Sequence, residues 1–368
     1  MKIGIYARTW DEMGGIGVYT RNLLRTMLSL ETDHHFLLFY RKPAHVGQFR
    51  NYHNVKEIFL SAQSKFLWDQ LAVPRIAHKE NVDILFHPKM AVPLLARCKT
   101  VMVMHGSERF VYPEFSYKSD ILYTKAIYPF YIRHAKGIIS VSDNARKDII
   151  RLFGISPEKI RTVHLASSGD FRRVDDQLFL ASIRRKYSLP KRFILNVGLI
   201  YPGKNIPNLL RAFALARQKE DIRLVLVGTG RRMYKKDLSI IQALRLQGEV
   251  LLPGYIPHQD LVGVYNLAHA LVFPSFYESF PAPPLEANAC GCPVVTSSTG
   301  GTPESAGNGA IYVDPRDPED IADAIVRVLS DEGLRKDLIQ RGFQNVIRFS
   351  WEKTAQETLA ALESVAQC

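Results

Sequence analysis

At 368 residues, with 46% apolar and 23% charged residues, the chain is too long for one ordinary core and too apolar for a disordered chain; it reads as two domains of roughly 150 to 200 residues with a cleft between them. No run nears the ~18 apolar residues of a membrane span, no secretory leader precedes Lys2, and Cys98, Cys290, Cys292 and Cys368 lack metal-ligand spacing, so a cytoplasmic protein is expected. The net charge of +12 is dispersed, without a long basic run or an aromatic-studded RNA motif, which favours peripheral contact with an anionic inner membrane face over nucleic acid.

From Lys2 onward, short β-rich apolar runs alternate with segments of helical period, the pattern of a parallel sheet covered by helices. Strands are predicted at KIGIYA from Lys2, FLLFY from Phe36, VKEIFL from Val55, DILFHP from Asp83, TVMVMHG from Thr100, GIISVS from Gly137 and RTVHLA from Arg161. Helical spacing is clearest over Gly17 to Leu30 and Lys65 to His78. The charged, strand-poor stretch Ser167 to Pro190 then reads as the linker, giving a first domain over 1–175.

Alternation resumes with FILNVGL from Phe193, RLVLVG from Arg223, VLLPGY from Val250, ALVFPS from Ala270, PVVTSS from Pro293 and AIYVDP from Ala310, a second doubly wound sheet within 176–348. A last amphipathic helix, with Trp351 as anchor, is expected to carry 349–368 back onto the first domain. In tandem, two such sheets direct the carboxyl ends of their strands at a shared crevice, where open α/β sheets bind ligands.

Chemistry concentrates in PSFYESFPAPPLEANACGCPVV, Pro274 to Val295. Glu278 follows the strand ALVFPS, and Glu286 lies in a helix that starts near Pro283, since proline is favoured in a first helical turn. Each carboxylate can accept a pair of hydroxyl hydrogen bonds, one from a sugar and one from a ribose, the latter as in dinucleotide sites. Between them, free N–H groups at the helix start suit a diphosphate.

With its flanking motifs, this segment resembles the family 4 glycosyltransferases, whose fold is GT-B: two Rossmann-like doubly wound α/β domains around an interdomain cleft. The resemblance also runs through GGIGVYTRNLL, VMHGSERFVYPEF, GIISVSDNARKDI, VGLIYPGKN, GYIPHQDLVGVYNLAHALVFPSFYES and FSWEKTA. It implies retaining transfer of a hexose from a UDP- or GDP-sugar to a polysaccharide or lipid-linked glycan. On that resemblance Glu286 binds the ribose, Glu278 and His105 meet the donor hexose, and Gly14 and Gly15 lie against the diphosphate. It likewise implies donor contacts at Gly198, Tyr255, Ile256, Phe280, Pro281, Ala282 and Leu285. Lys204, in the loop after NVG, can meet the β-phosphate and stabilise charge as the sugar–phosphate bond breaks, and Asn205 is expected to cap the next helix.

No cofactor is expected, and no metal: Asp-x-Asp, the metal signature of the other glycosyltransferase fold, is absent from the sequence. Two positions depart from the family pattern. Leu199 stands where many members place an arginine, and Pro281 brings no N–H to the loop Ser279-Phe280-Pro281-Ala282; Arg231 can supply the missing charge. These departures motivate a second reading, a nucleotide- or glycan-binding protein without turnover. A nicotinamide-dependent oxidoreductase fits poorly, because the glycines after the first strand do not have GxGxxG spacing.

Overall fold

The computed structural model describes residues 1–12, 14–230 and 234–367. The chain splits into two compact units, Met1–Leu165 together with Ser350–Cys368, and Ala166–Phe349. Among the described residues every expected strand forms: β1 Lys2–Tyr6, β2 His35–Tyr40, β3 Val55–Phe59, β4 Ile84–His87, β5 Lys99–Met104, β6 Gly137–Ser140 and β7 Ile160–Thr162 in the first unit. The second unit holds β8 Phe193–Val197, β9 Arg223–Val227, β10 Val250–Gly254, β11 Ala270–Phe273, β12 Val294–Ser297 and β13 Ala310–Val313.

In the first unit the strand order is β3-β2-β1-β4-β5-β6-β7, and in the second β10-β9-β8-β11-β12-β13. Every pairing is parallel. The order reverses beside β1 in one sheet and beside β8 in the other, so each sheet has a topological switch point, at β1/β4 and at β8/β11. These are the two Rossmann-like α/β sheets of the GT-B class.

The strands read as unbroken apolar runs because both faces of each sheet are covered. In the second unit Ile194, Leu224, Leu226 and Val272 enter one core, while their neighbours Phe193, Leu195, Val225 and Leu271 enter another. Alternate residues thus serve opposite faces, as the strand period requires. Both layers bury large side chains completely, including Phe213 in the first core and Phe193, Tyr265 and Phe273 in the second.

The unit boundary falls at Leu165, earlier than the expected 175, and the stretch read as a linker is part of the second unit. Charge obscured a packed element there. Asp176 caps a helix over Gln177–Lys186 by accepting from the amides of Leu178 and Phe179, both at 3.0 Å. Phe171, Ile183 and Leu189 around that helix join the second-unit core.

The last helix, Trp351–Gln367, packs within the first unit against the helix Gly15–Ser29. Thr354 Oγ1 donates to the carbonyl of His164 at 2.8 Å, and the Trp351 ring lies 6.0 Å from that of Tyr19. The expected helix over Lys65 to His78 is interrupted by a π-helical turn at Trp68–Ala72, an arrangement that often accompanies functional sites.

Candidate functional site

At the β8/β11 switch point the backbone ladder between the two strands extends only over Ala270↔Ile194 and Leu271↔Leu195. One residue further on, buried Asn196 donates from Nδ2 to the carbonyl of Val272 at 2.8 Å, a side-chain bond where the backbone pairing has stopped. Beyond it the two strands feed the loops that carry Gly198 to Asn205 and Pro274 to Pro281. These loops are tied together where the Phe276 amide donates to the carbonyl of Gly203 at 2.9 Å.

Lys204 and Glu278 meet here. Lys204 Nζ donates to Glu278 Oε1 at 2.6 Å, the two side chains being 12% and 16% exposed. The same ammonium lies 4.4 Å from the centre of the Phe273 ring, a cation–π contact that partly replaces lost hydration. Gly198 keeps the floor open: its φ is +147°, and an added Cβ would stand 3.3 Å from Lys204 Cε. A methyl there would press on the lysine stem.

Glu278 is fixed by its own backbone. Its carbonyl accepts from the Gly301 amide at 2.7 Å, and Gly300, at φ +59°, approaches so closely that a Cβ would lie 2.3 Å from that oxygen. Asn205 departs from the expected role. It adopts a left-handed conformation, φ 58° and ψ 36°, and makes no side-chain cap. Its Nδ2 instead donates to the carbonyls of Pro274 at 2.9 Å and Pro315 at 2.5 Å. The lysine loop is thereby pinned to the loop that carries Glu278.

Glu286 sits in the helix Ala282–Ala289. Its Oε2 accepts from the Tyr265 hydroxyl at 2.8 Å. The side chain keeps some exposed surface, yet its surroundings are apolar enough that burial pushes the carboxyl up to about 7, against the opposing pull of the Tyr265 hydrogen bond. A carboxylate with one hydroxyl partner retains acceptor capacity for a second and third hydroxyl.

The start of that helix offers fewer donors than expected. Pro281 is its N-cap and Pro283 and Pro284 lie in its first turn, so the Ala282 amide is the one free N–H before Leu285. Contacts implied for Phe280, Ile256 and Leu285 are confined to main chain, because those side chains are buried, Phe280 against Phe349 at 5.5 Å. Tyr255, after β10, is 61% exposed and free to meet a ligand. Leu199 presents an apolar side chain that is 36% exposed, and Arg231 lies outside the described residues.

Sequence reasoning missed Ser279, whose buried hydroxyl beside Glu278 has no hydrogen-bond partner among the described residues, and Tyr265, the partner of Glu286. Adjacency to Glu278 was the available signal for Ser279. Nothing local marks Tyr265, which arrives from the helix His258–Leu267.

The first unit holds the remaining expected residues, in the loops after β1 and β5. Gly14, at φ +95°, starts the helix Gly15–Ser29, and a Cβ on either Gly14 or Gly15 would meet open space. Gly17 is the glycine that packing demands, since its Cβ would stand 1.8 Å from the Glu12 carbonyl. His105 is held edge-on to the Tyr19 ring at 4.7 Å, with Nε2 at 2.8 Å from the Pro88 carbonyl. A carbonyl only accepts, so Nε2 carries the proton and Nδ1 is left as an acceptor. Burial lowers the imidazole to about 4, which keeps it neutral.

Among solved structures, a crystal structure of Anabaena HepE in complex with UDP and glucose superposes with a TM-score of 0.76 at 17% identity, over 99% of this chain and 100% of that one. The class is therefore the GT-B fold. The model of glycosyltransferase family 4 matches residues 13–166, and that of the group 1 glycosyl transferases matches 181–345. The O-antigen chain mannosyltransferase B of Escherichia coli is 32% identical over 289 residues, 77% of this chain and 75% of that protein. The serotype-specific mannosyltransferase WbdA of the same species is 28% identical over 238 residues, 63% of this chain but only 29% of that longer protein. The chain belongs to the family 4 glycosyltransferases, and it is a glycosyltransferase.

Proposed function

We propose that the protein transfers a hexose, mannose in the first instance, from a GDP- or UDP-sugar to a polysaccharide or lipid-linked glycan, with retention at the anomeric carbon and without a metal. The observation that carries this reading is the Lys204–Glu278 pair at the β8/β11 switch point. Mannose is favoured by the names of the similar Escherichia coli proteins.

In this reading Glu286 binds the ribose hydroxyls and Glu278 accepts from hexose hydroxyls. Lys204 exchanges its Glu278 partner for the β-phosphate, where its charge stabilises the leaving group in a site of low exposure. With a single free amide at the helix start and Leu199 where a second cation is usual, Lys204 supplies most of the positive charge for the diphosphate. A lysine in that role makes a divalent ion unnecessary. Gly14 and Gly15 offer unobstructed main chain to a phosphate, and His105 offers Nδ1 to a hydroxyl. The acceptor attacks on the face from which the phosphate leaves, and the phosphate takes its proton.

Among the described residues no helix is long and apolar enough to cross a membrane. We assign membrane contact to the helix Lys118–His134. Leu122 is 72% exposed, Tyr123 53% and Phe130 59%, and Lys118, Lys125 and Arg133, also exposed, share the same side of the helix. Large apolar groups flanked by cations suit an interface of anionic lipid.

The test is nucleotide release from a panel of GDP- and UDP-hexoses in EDTA with saccharide acceptors. Turnover with at least one donor is expected. Tight nucleotide binding without turnover on any of them would favour the binding-protein reading.

A further inference from the structure

The first unit has a second concave site, unused by the donor chemistry. A cavity of about 280 Å³ lies at the carboxyl ends of β1, β2 and β3, on the ligand-binding edge of a doubly wound sheet. Its volume falls just below the ~300–1,000 Å³ typical of ligand sites, enough for one sugar unit with a substituent.

The lining is rich in cations: Arg8, Arg41, Lys42 and Lys65, with His45 among them, face two carboxylates, Asp11 and Glu12. Several of these charges are already committed. Arg8 Nε donates to Asp69 at 2.9 Å, Lys42 pairs with Asp11, and Glu12 accepts from Lys89 at 2.8 Å. Arg41 and Lys65 form no ion pair among the described residues. Buried Arg41 Nε and buried His45 Nε2 have no hydrogen-bond partner there, although His45 lies 3.8 Å from Asp11. A buried guanidinium N–H without a partner is a donor that an anionic ligand would satisfy.

The acids narrow the ligand class. An anion without hydroxyls would leave Asp11 and Glu12 unused, whereas a phosphorylated saccharide can donate hydroxyls to them while its phosphate takes the Arg41 guanidinium. We infer that this cavity binds the phosphate-bearing part of the acceptor, a phosphorylated saccharide. The inference rests on the transferase reading above, because only a transferase must hold an acceptor beside its donor. The phosphate can belong to a soluble sugar phosphate or to the diphosphate of a lipid-linked glycan; both present the same group to Arg41 and Lys65.

Calorimetry on the intact protein separates the cases with two probe pairs: methyl mannoside 6-phosphate against methyl mannoside, and mannosyl diphosphoryl farnesol against mannosyl farnesol. In either arm the phosphorylated member is expected to bind the more tightly, and the arm with the larger difference identifies the source. Arg41→Gln should weaken binding of the phosphorylated probe about ten- to hundredfold, as loss of a charged hydrogen bond does, and leave the unphosphorylated one unchanged. Lys65→Gln, at an exposed position, tests the same point if the arginine variant fails to fold. Equal binding of both members in both arms, or phosphate-dependent binding that neither variant alters, would overturn the inference. GDP and UDP titrations run alongside report the donor site: loss of nucleotide binding indicts the transferase reading, whereas intact nucleotide binding with no phosphate preference indicts this cavity alone.

Discussion

Replacing Glu286 by glutamine keeps the shape and the Tyr265 hydrogen bond but removes the charge, and the structure assigns opposite signs to its effects on stability and on binding. Burial raises the carboxyl from its ordinary 4.5 to about 7, so between those values the folded protein holds a proton that the unfolded chain has lost. The folded state is favoured at low pH, and this contribution fades as pH rises through 7. A shift of that size corresponds to roughly 3 kcal/mol. Without ligand, Glu286→Gln should therefore match the wild type near pH 4, below both values, and exceed its stability near pH 8.5 by up to ~3 kcal/mol. Nucleotide affinity should move the other way, falling about ten- to hundredfold at pH 8.5 as charged hydrogen bonds to the ribose are lost. Denaturant unfolding and calorimetry at the two pH values read both effects. Unchanged affinity for GDP and UDP at pH 8.5 would refute the ribose assignment, and no gain in stability there would refute the burial argument.

Lys204→Gln should lower kcat by ~10²–10³ with a smaller change in donor KM, the pattern of a group that acts on leaving-group charge; steady-state kinetics decides. Gly17→Ala should cost about 1–3 kcal/mol in unfolding experiments, because its Cβ would collide with the Glu12 carbonyl, whereas Gly15→Ala should spare stability and raise donor KM. For His105, held near 4 by burial, the sign is opposite to that of Glu286: stability is lost as pH falls from 6.5 toward 4. His105→Asn should accordingly flatten that acid loss in unfolding curves recorded across the range. Phe130→Glu should abolish flotation with phosphatidylglycerol vesicles and leave transfer to a soluble acceptor intact; unchanged flotation would remove the Lys118–His134 helix as the membrane face.

Strand positions were legible because buried parallel strands are continuous apolar runs, and the run ALVF needs no partner to be recognised. Lys204 and Glu278 were legible for a related reason: each follows such a strand, and strand order makes those two ends neighbours. Contacts set by tertiary packing were hidden. Tyr265 reaches Glu286 from a different helix, and Gly300 matters only through its approach to the Glu278 carbonyl. Asn205 has the residue type of a cap, but distant carbonyls of Pro274 and Pro315 claim its amide. In Ser167 to Pro190 the charges outnumber the apolar face of one helix, so composition suggested a linker where Ile183 and Leu189 pack into a core. The prolines at 281, 283 and 284 were in plain view; their shared effect on the helix start follows only once the helix is known to begin at Ala282.

The proposed reaction is metal-independent, retaining transfer from a nucleoside-diphosphate sugar. Incubating the protein with GDP-mannose and a mannoside acceptor in EDTA, then recording the proton NMR spectrum of the new linkage, tests it most directly. GDP release with an α-linked product, the configuration of the donor, is expected. A β-linked product, or activity that appears only when a divalent ion is restored, would contradict it.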